Sequence, residues 1–178
     1  KSKLINKVFI ASNSKKIKIK HKKLSIFQRS KKSNLKKSPT EVIIKEFLKK
    51  NICDYLVLIQ ATNLFIKTEY INFAIKKIIK NQKKYDSLLS VVKSKYLVWQ
   101  KNKSLVNSKN YNFNKRPRSQ DIKDKEFIEN GSFYIFKKKN FLKFNNRLHG
   151  KITFFEMPKD SIFELDEKED LNLIKKLI

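Results

Sequence analysis

Residues 54–60 read Asp54-Tyr55-Leu56-Val57-Leu58-Ile59-Gln60, five apolar side chains in a row with a polar residue at each end. A continuous run of this length is expected to be a central strand covered on both faces. The segments around it carry helical spacing. Upstream, Ser38-Pro39-Thr40-Glu41 stands ahead of Val42, Ile43, Phe47 and Leu48, which marks a helix start with Ser38 as N-cap and Pro39 just inside. Downstream, over 68–79, Ile71, Ala74, Ile75, Ile78 and Ile79 share one side.

A short buried strand ending in small polar residues is expected at 7–13, further strands at 24–27, 87–92 and 133–136, and a short closing helix from about 169 to 178. The strand at 7–13 runs into Ser14-Lys15-Lys16-Ile17, which reads as the start of a capped helix. Strands separated by helices imply an α/β fold: a mostly parallel sheet between two helix layers, a three-layer α/β/α arrangement. Ligands in such folds sit beyond the carboxyl ends of the strands, which picks out Asn13, Gln60 and the loop after Val92. Residues 97–125, rich in Asn, Lys and Ser with weak periodicity, read as an excursion from the sheet with short hairpins. Long excursions in compact domains serve function or pairing between subunits.

At 178 residues and 40% hydrophobic, the chain fits one domain, 1–178, with a sizeable core. Lys and Arg number 43 against 16 Asp and Glu, a formal net charge of +27. That balance raises nucleic acid as a partner, but only four of the 43 are arginine. Phosphate and base recognition draws on arginine's planar fork as well as on lysine, so a solvated lysine coat is the preferred reading. Cys53 is alone, which excludes a disulfide framework or a cysteine zinc site and fits a reducing cytoplasm. His21 and His149 are isolated. No run approaches the roughly 20 apolar residues of a membrane-spanning helix.

A second stretch, RPRSQDIKDKEFIENGSFYIF at 116–136, holds two of the four arginines and one of the two glycines. Arg118 can grip a carboxylate through paired N–H groups, or make a surface salt bridge on a loop. Asn130-Gly131 offers a tight turn. Tyr134 can present a hydroxyl to a polyhydroxylated ligand or serve as a strand aromatic, with Phe133 and Ile135 facing the other way. Glu164 and Asp166, alternate residues in FELDEKEDL, can reach one divalent cation from the same side, or cap the last helix.

In order along the chain, VFIASNS, FQRS, SPTEVI, DYLVLIQATNL, DSLLSVV, RPRSQD, ENGSFYIF, NRLHGKI and FELDEKEDL resemble the acylneuraminate cytidylyltransferases, also called CMP-sialic acid synthetases. The resemblance implies a nucleotide-diphospho-sugar transferase fold of Rossmann-like type. Its reaction joins a nonulosonic acid to CMP from CTP with Mg2+, releasing pyrophosphate. It implies a cytoplasmic homodimer that pairs through the 97–125 excursion. It further implies that Gln60, Thr62, Arg118, Asn130 and Tyr134 line the sugar pocket, that Arg29, Ser38 and Thr40 lie by the nucleotide, and that Glu164 and Asp166 hold the metal, with Arg118 and Asp166 catalytic.

The sequence departs from that family in places. QATNL lacks the proline of the family's QPTSP, Glu164 replaces an aspartate, and Asn13 stands where an aspartate is usual. The family's first strand, its Gly- and Lys-containing phosphate loop and a Lys-Asn pair have no counterpart here. The expectation is therefore most of an enzyme whose first segment lies upstream; the alternatives are an inactive homologue that keeps sugar or subunit binding, or a basic nucleic-acid-binding protein.

Overall fold

The computed structural model describes residues 2–14, 16–19, 21–35, 37–122 and 126–177. Strands β1 (Val8–Ala11) and β2 (Leu24–Phe27) pair in parallel as a two-stranded sheet. A four-stranded sheet follows in the order β3-β7-β4-β8, from β3 (Tyr55–Ile59), β4 (Ser87–Ser94), β7 (Glu126–Lys137) and β8 (Ile152–Met157). Between β4 and β7 the chain makes a separate hairpin, β5 (Trp99–Asn102) with β6 (Leu105–Ser108).

The expectation of a mostly parallel sheet is corrected. β3, β4 and β8 do share a direction, but β7 runs antiparallel between β3 and β4, so only the β4–β8 neighbours pair in parallel. The sheet is mixed. Residues 54–60 do form a strand, yet β3 is the edge of this sheet and only half-buried, while the central positions fall to β4 and β7. A continuous apolar run fixes the strand state and leaves its place in the sheet open.

Helices cover both faces. α2 (Thr68–Lys80) lays Ile71, Ala74, Ile75 and Ile78 against Leu88, Val92, Phe133, Ile135 and Met157 on one face. On the other, α1 (Thr40–Lys50) and α3 (Lys138–Phe144) bring Ile44, Leu48 and Phe141 to Tyr134 and Phe136. Alternation along β7 thus sends Phe133 and Ile135 to one core and Tyr134 and Phe136 to the other. α4 (Lys168–Leu177) closes the chain with Ile174 buried.

Several local expectations shift. α1 begins at Thr40 with Pro39 in the cap position and no side-chain cap bond, so Ser38 does not act as N-cap. No helix forms at 14–17 among the described residues, and Lys15 lies outside them; the described residues between β1 and β2 are irregular backbone with short turns. The excursion contains the expected hairpin, followed by two 3-10 turns at Phe113–Lys115 and Ser119–Asp121; its end at 123–125 lies outside the described residues, as does Ile178. α3 and β8 are additions. α3 is a seven-residue lysine-rich segment burying one side chain, Phe141, too little to give a periodic signal.

The small β1–β2 sheet is fastened to the body through Phe47 of α1, whose ring meets Phe9 and Phe27 edge-on at centroid distances of 4.9 and 5.3 Å. Phe47→Ala is expected to cost about 2–4 kcal/mol and to speed amide exchange in β1 and β2 relative to β4. Unchanged relative protection of 8–11 and 24–27 would show that the sheet is held elsewhere.

Candidate active site

The site grows from an irregularity in β7. Leu89 pairs with Tyr134, but Val91, two residues on, pairs with Glu129, so the intervening part of β7 bulges out at 130–132. The bulge sits inside a continuous strand; the tight turn expected at Asn130-Gly131 is not a chain reversal. Gly131 adopts φ +61°, and a Cβ there would overlap the carboxylate of Glu164. Glycine serves both the left-handed backbone and the close approach.

Buried amides lock the bulge to its surroundings. Asn130, 2% exposed, donates to Ser161 Oγ and O at 2.8 and 3.2 Å. Asn63, in the loop after β3, donates to the carbonyls of Ser161 and Asn130 at 2.7 and 3.2 Å. Backbone bonds finish the knot: Gln60 N–H donates to Ser132 O (3.0 Å) and Leu165 N–H to Thr62 O (2.8 Å). The loops beyond β3 and β8 are therefore joined at one end of the sheet, the end where strand carboxyl termini create ligand sites.

Gln60, Thr62, Asn130, Tyr134 and Glu164 are thereby brought together. Their roles are unequal. Asn130 spends its amide inside the protein. Tyr134 is 3% exposed; its hydroxyl donates to Glu129, and the Arg147 guanidinium lies 4.6 Å from its ring centroid. Burial first, then the bond to Glu129, pushes the Tyr134 phenol up to about 12. Arg147 Nη1 in turn sits 3.2 Å from Glu41 Oε1 at the start of α1, tying Thr40 and Pro39 to the same region. Between these parts lies an open recess of about 580 Å3 lined by Pro39, Glu41, Glu129, Asn145, Asn146 and Arg147.

Glu164 carries a carboxyl raised above its ordinary value, by burial and then by the negative charges of Asp166 and Glu129. Carboxylates that repel one another in this way suit a cation. Among the described residues no three His, Cys, Asp or Glu side chains gather as a complete metal cage, so Glu164 and Asp166 can supply only part of a ligand set. The Asp166 and Glu167 N–H groups donate to Asp170 Oδ2 at 3.0 and 2.8 Å, which fixes the turn into α4.

Two expected residues lie apart. Arg118 is 75% exposed and paired with Asp121 at 2.8 Å on the excursion. Arg29 donates through Nη2 to the Ser33 carbonyl, and its backbone N–H donates to Asn13 Oδ1 at 2.8 Å. It borders a second recess with Gln28, Ser30, Glu46, Lys49 and Lys50, further along α1. Ser38 is half-buried beside the α1 start, its N–H bonded to Leu35 O at 2.9 Å.

Glu129, Arg147, Glu41 and Asn63 were not singled out by sequence. Arg147 was findable, because it is one of four arginines. Glu129 was not: strict alternation puts it on the face opposite Tyr134, and only the bulge reverses that parity.

A family model described as cytidylyltransferase matches residues 1–178. The chain belongs to the cytidylyltransferase family. A search of curated proteins finds no match. Among solved structures, 4-diphosphocytidyl-2C-methyl-D-erythritol synthase from Anaerococcus prevotii DSM 20548 is similar, with a TM-score of 0.58 at 14% identity, covering 86% of this chain and 69% of that one. At that identity the likeness concerns the fold. It agrees with an α/β fold. No helix among the described residues is long and apolar enough to cross a membrane.

Two outcomes follow for this cytidylyltransferase. Asn130→Ala removes both amide bonds to Ser161, which keeps only Asn63 and the Pro158 carbonyl as partners, and is expected to cost about 1–3 kcal/mol, read by urea unfolding; a loss below 0.5 kcal/mol, roughly the level of an exposed substitution, would contradict the lock. For Glu164, the folded state holds the proton more tightly than the unfolded chain, so ionisation costs stability at neutral pH and the cost vanishes as pH falls. Metal-free Glu164→Gln should therefore melt above wild type at pH 7, with the advantage gone near pH 4, roughly the unfolded carboxyl value. A variant less stable at pH 7 would contradict the repulsion.

Proposed function

We propose that this cytidylyltransferase activates a nonulosonic, sialic-type acid, taking the cytidylyl group from CTP and releasing pyrophosphate. The observation that supports the reading is the convergence at one sheet end of Gln60 and Thr62, the Tyr134 cluster, the Glu164/Asp166 pair and the start of α1. The sequence motifs of an acid-sugar enzyme supply the acceptor class.

In this reading Ser38 and Thr40, at the start of α1, lie beside the ribose and cytosine. Gln60 and Thr62 hydrogen-bond the sugar. Glu164 and Asp166 would hold a Mg2+ ion, which when bound would supply charge neutralisation on the triphosphate. The anomeric hydroxyl attacks the α-phosphorus in line. A P–O bond forms, the bond to the bridging oxygen breaks, the hydroxyl proton passes to a base, and pyrophosphate leaves.

Arg118 meets the sugar carboxylate in the site of a second copy, because the excursion that carries it projects its own apolar surface. Trp99, Leu105, Val106 and Phe113 are 49, 69, 54 and 55% exposed. A two-stranded hairpin is marginal alone, and a dimer in which each hairpin covers the partner gives it support.

The test is pyrophosphate release by the whole protein with CTP, Mg2+ and N-acetylneuraminic or legionaminic acid. Release dependent on both sugar and metal is expected; none with any nonulosonic acid, from a folded protein, removes the acceptor assignment. Arg118→Ala and Asp166→Asn should each be nearly inactive. Mixed and allowed to exchange, they should recover activity to about a quarter of wild type, since random exchange gives half of the dimers one intact site. No recovery would place Arg118 in its own subunit's site or outside any site.

A further inference from the structure

The recess between the α1 start and the turn after α3 contains polar groups to which no role has been given. Its walls are Glu129 and Arg147, with Asn145 and Asn146 beside them. Tyr134, by contrast, lies beneath both. Its ring supports the Arg147 guanidinium, its hydroxyl donates to Glu129, and only 3% of its surface is open. Arg147 is further fixed by Glu41, with both side chains 23% exposed.

We propose that Arg147 and Glu129 are specificity-determining residues that contact the acceptor, and that Tyr134 positions the pair from below. This rests on the acceptor reading above and deepens it. With one Glu129 carboxylate oxygen engaged by Tyr134, the other is left for a ligand, and Arg147 Nη1, ion-paired to Glu41 at 3.2 Å, has no hydrogen-bond partner of its own. An acceptor and a donor side by side suit a group that both gives and takes a hydrogen bond, as a sugar hydroxyl does. They do not suit a free carboxylate, which would meet Glu41 and Glu129 at close range. The recess therefore takes the hydroxyl-bearing part of the acceptor, and its acid group lies elsewhere.

The arrangement is tested with Arg147→Met, Arg147→Lys, Glu129→Gln, Tyr134→Phe and the Glu129→Gln/Tyr134→Phe double variant, each checked for a wild-type-like melting curve. Arg147→Met and Glu129→Gln are expected to raise KM for the acid sugar about five- to tenfold, with KM for CTP within twofold and Arg147→Lys intermediate. Tyr134→Phe should raise the same KM less, and should add nothing in the Glu129→Gln background, because its hydroxyl acts only through that carboxylate. A Tyr134→Phe effect that persists there would mean the hydroxyl meets the sugar directly, and would overturn the division of roles. An unmoved sugar KM in both wall variants, or a change in KM for CTP instead, would overturn the recess assignment.

If the wild-type protein transfers to no acid sugar, the acceptor reading falls, and the recess is judged by saturation-transfer NMR with N-acetylneuraminic acid. Signal in wild type that is lost in Arg147→Met supports the recess. Equal signal in both, or none in wild type, overturns it. Should Arg147→Met fail to fold, Arg147→Lys and Glu129→Gln carry the same comparison.

Discussion

The structure depends on one constraint: β7 must bend at 130–132 without losing its place between β3 and β4. Three things meet that demand. Gly131 takes a backbone conformation that other residues resist. Ser90 Oγ accepts the Phe133 N–H at 2.9 Å, a bond the ladder cannot provide at the bulge. Asn130 and Asn63 fill the space with amides whose partners are buried carbonyls and the Ser161 hydroxyl. Unpaired, each of these groups would cost more than an ordinary surface contact contributes, so the knot is specific as well as stabilising.

Function follows from the same bend. It turns Glu129 onto the face of Tyr134, lets Glu164 come down over Gly131, and joins the loops after β3 and β8. Acidic groups collect where the backbone approaches most closely, and the raised Glu164 carboxyl reflects that crowding. The wider surface tells a different story. Lysines are spread over it, and several Nζ groups lie over aromatic rings or on backbone carbonyls, as Lys77 does with Phe154. Positioned charge is concentrated in the few arginines and carboxylates, and abundant charge is solvated coat.

Much of the fold was legible in the sequence. Helical spacing gave α1 and α2 to within a residue or so, because their buried side chains impose a period, and the short apolar runs gave β1 to β4 even where, as in β1 and β3, no side chain is fully buried. The direction of β7 was not legible, since strand propensity is the same for either orientation. At the site, the motif-bearing residues Gln60, Thr62, Tyr134 and Glu164 come together as a group, whereas Arg118 and Arg29 do not join them within one chain. Glu129 and Arg147 lie within the motifs ENGSFYIF and NRLHGKI, but their roles were not legible, because they arise from a register shift and a stacking contact, neither of which leaves a pattern of spacing.

The central claim is that nucleotide, cation and acceptor meet at the end of the sheet organised by the β7 bulge. The most direct measurement is a crystal structure grown with CTP and Mn2+, in which the anomalous signal locates the cation. The account predicts a peak between the triphosphate and the Glu164 and Asp166 carboxylates, with the base beside Ser38 and Thr40. A nucleotide seated instead in the recess of Arg29, Lys49 and Lys50, with no cation near Glu164, would contradict it.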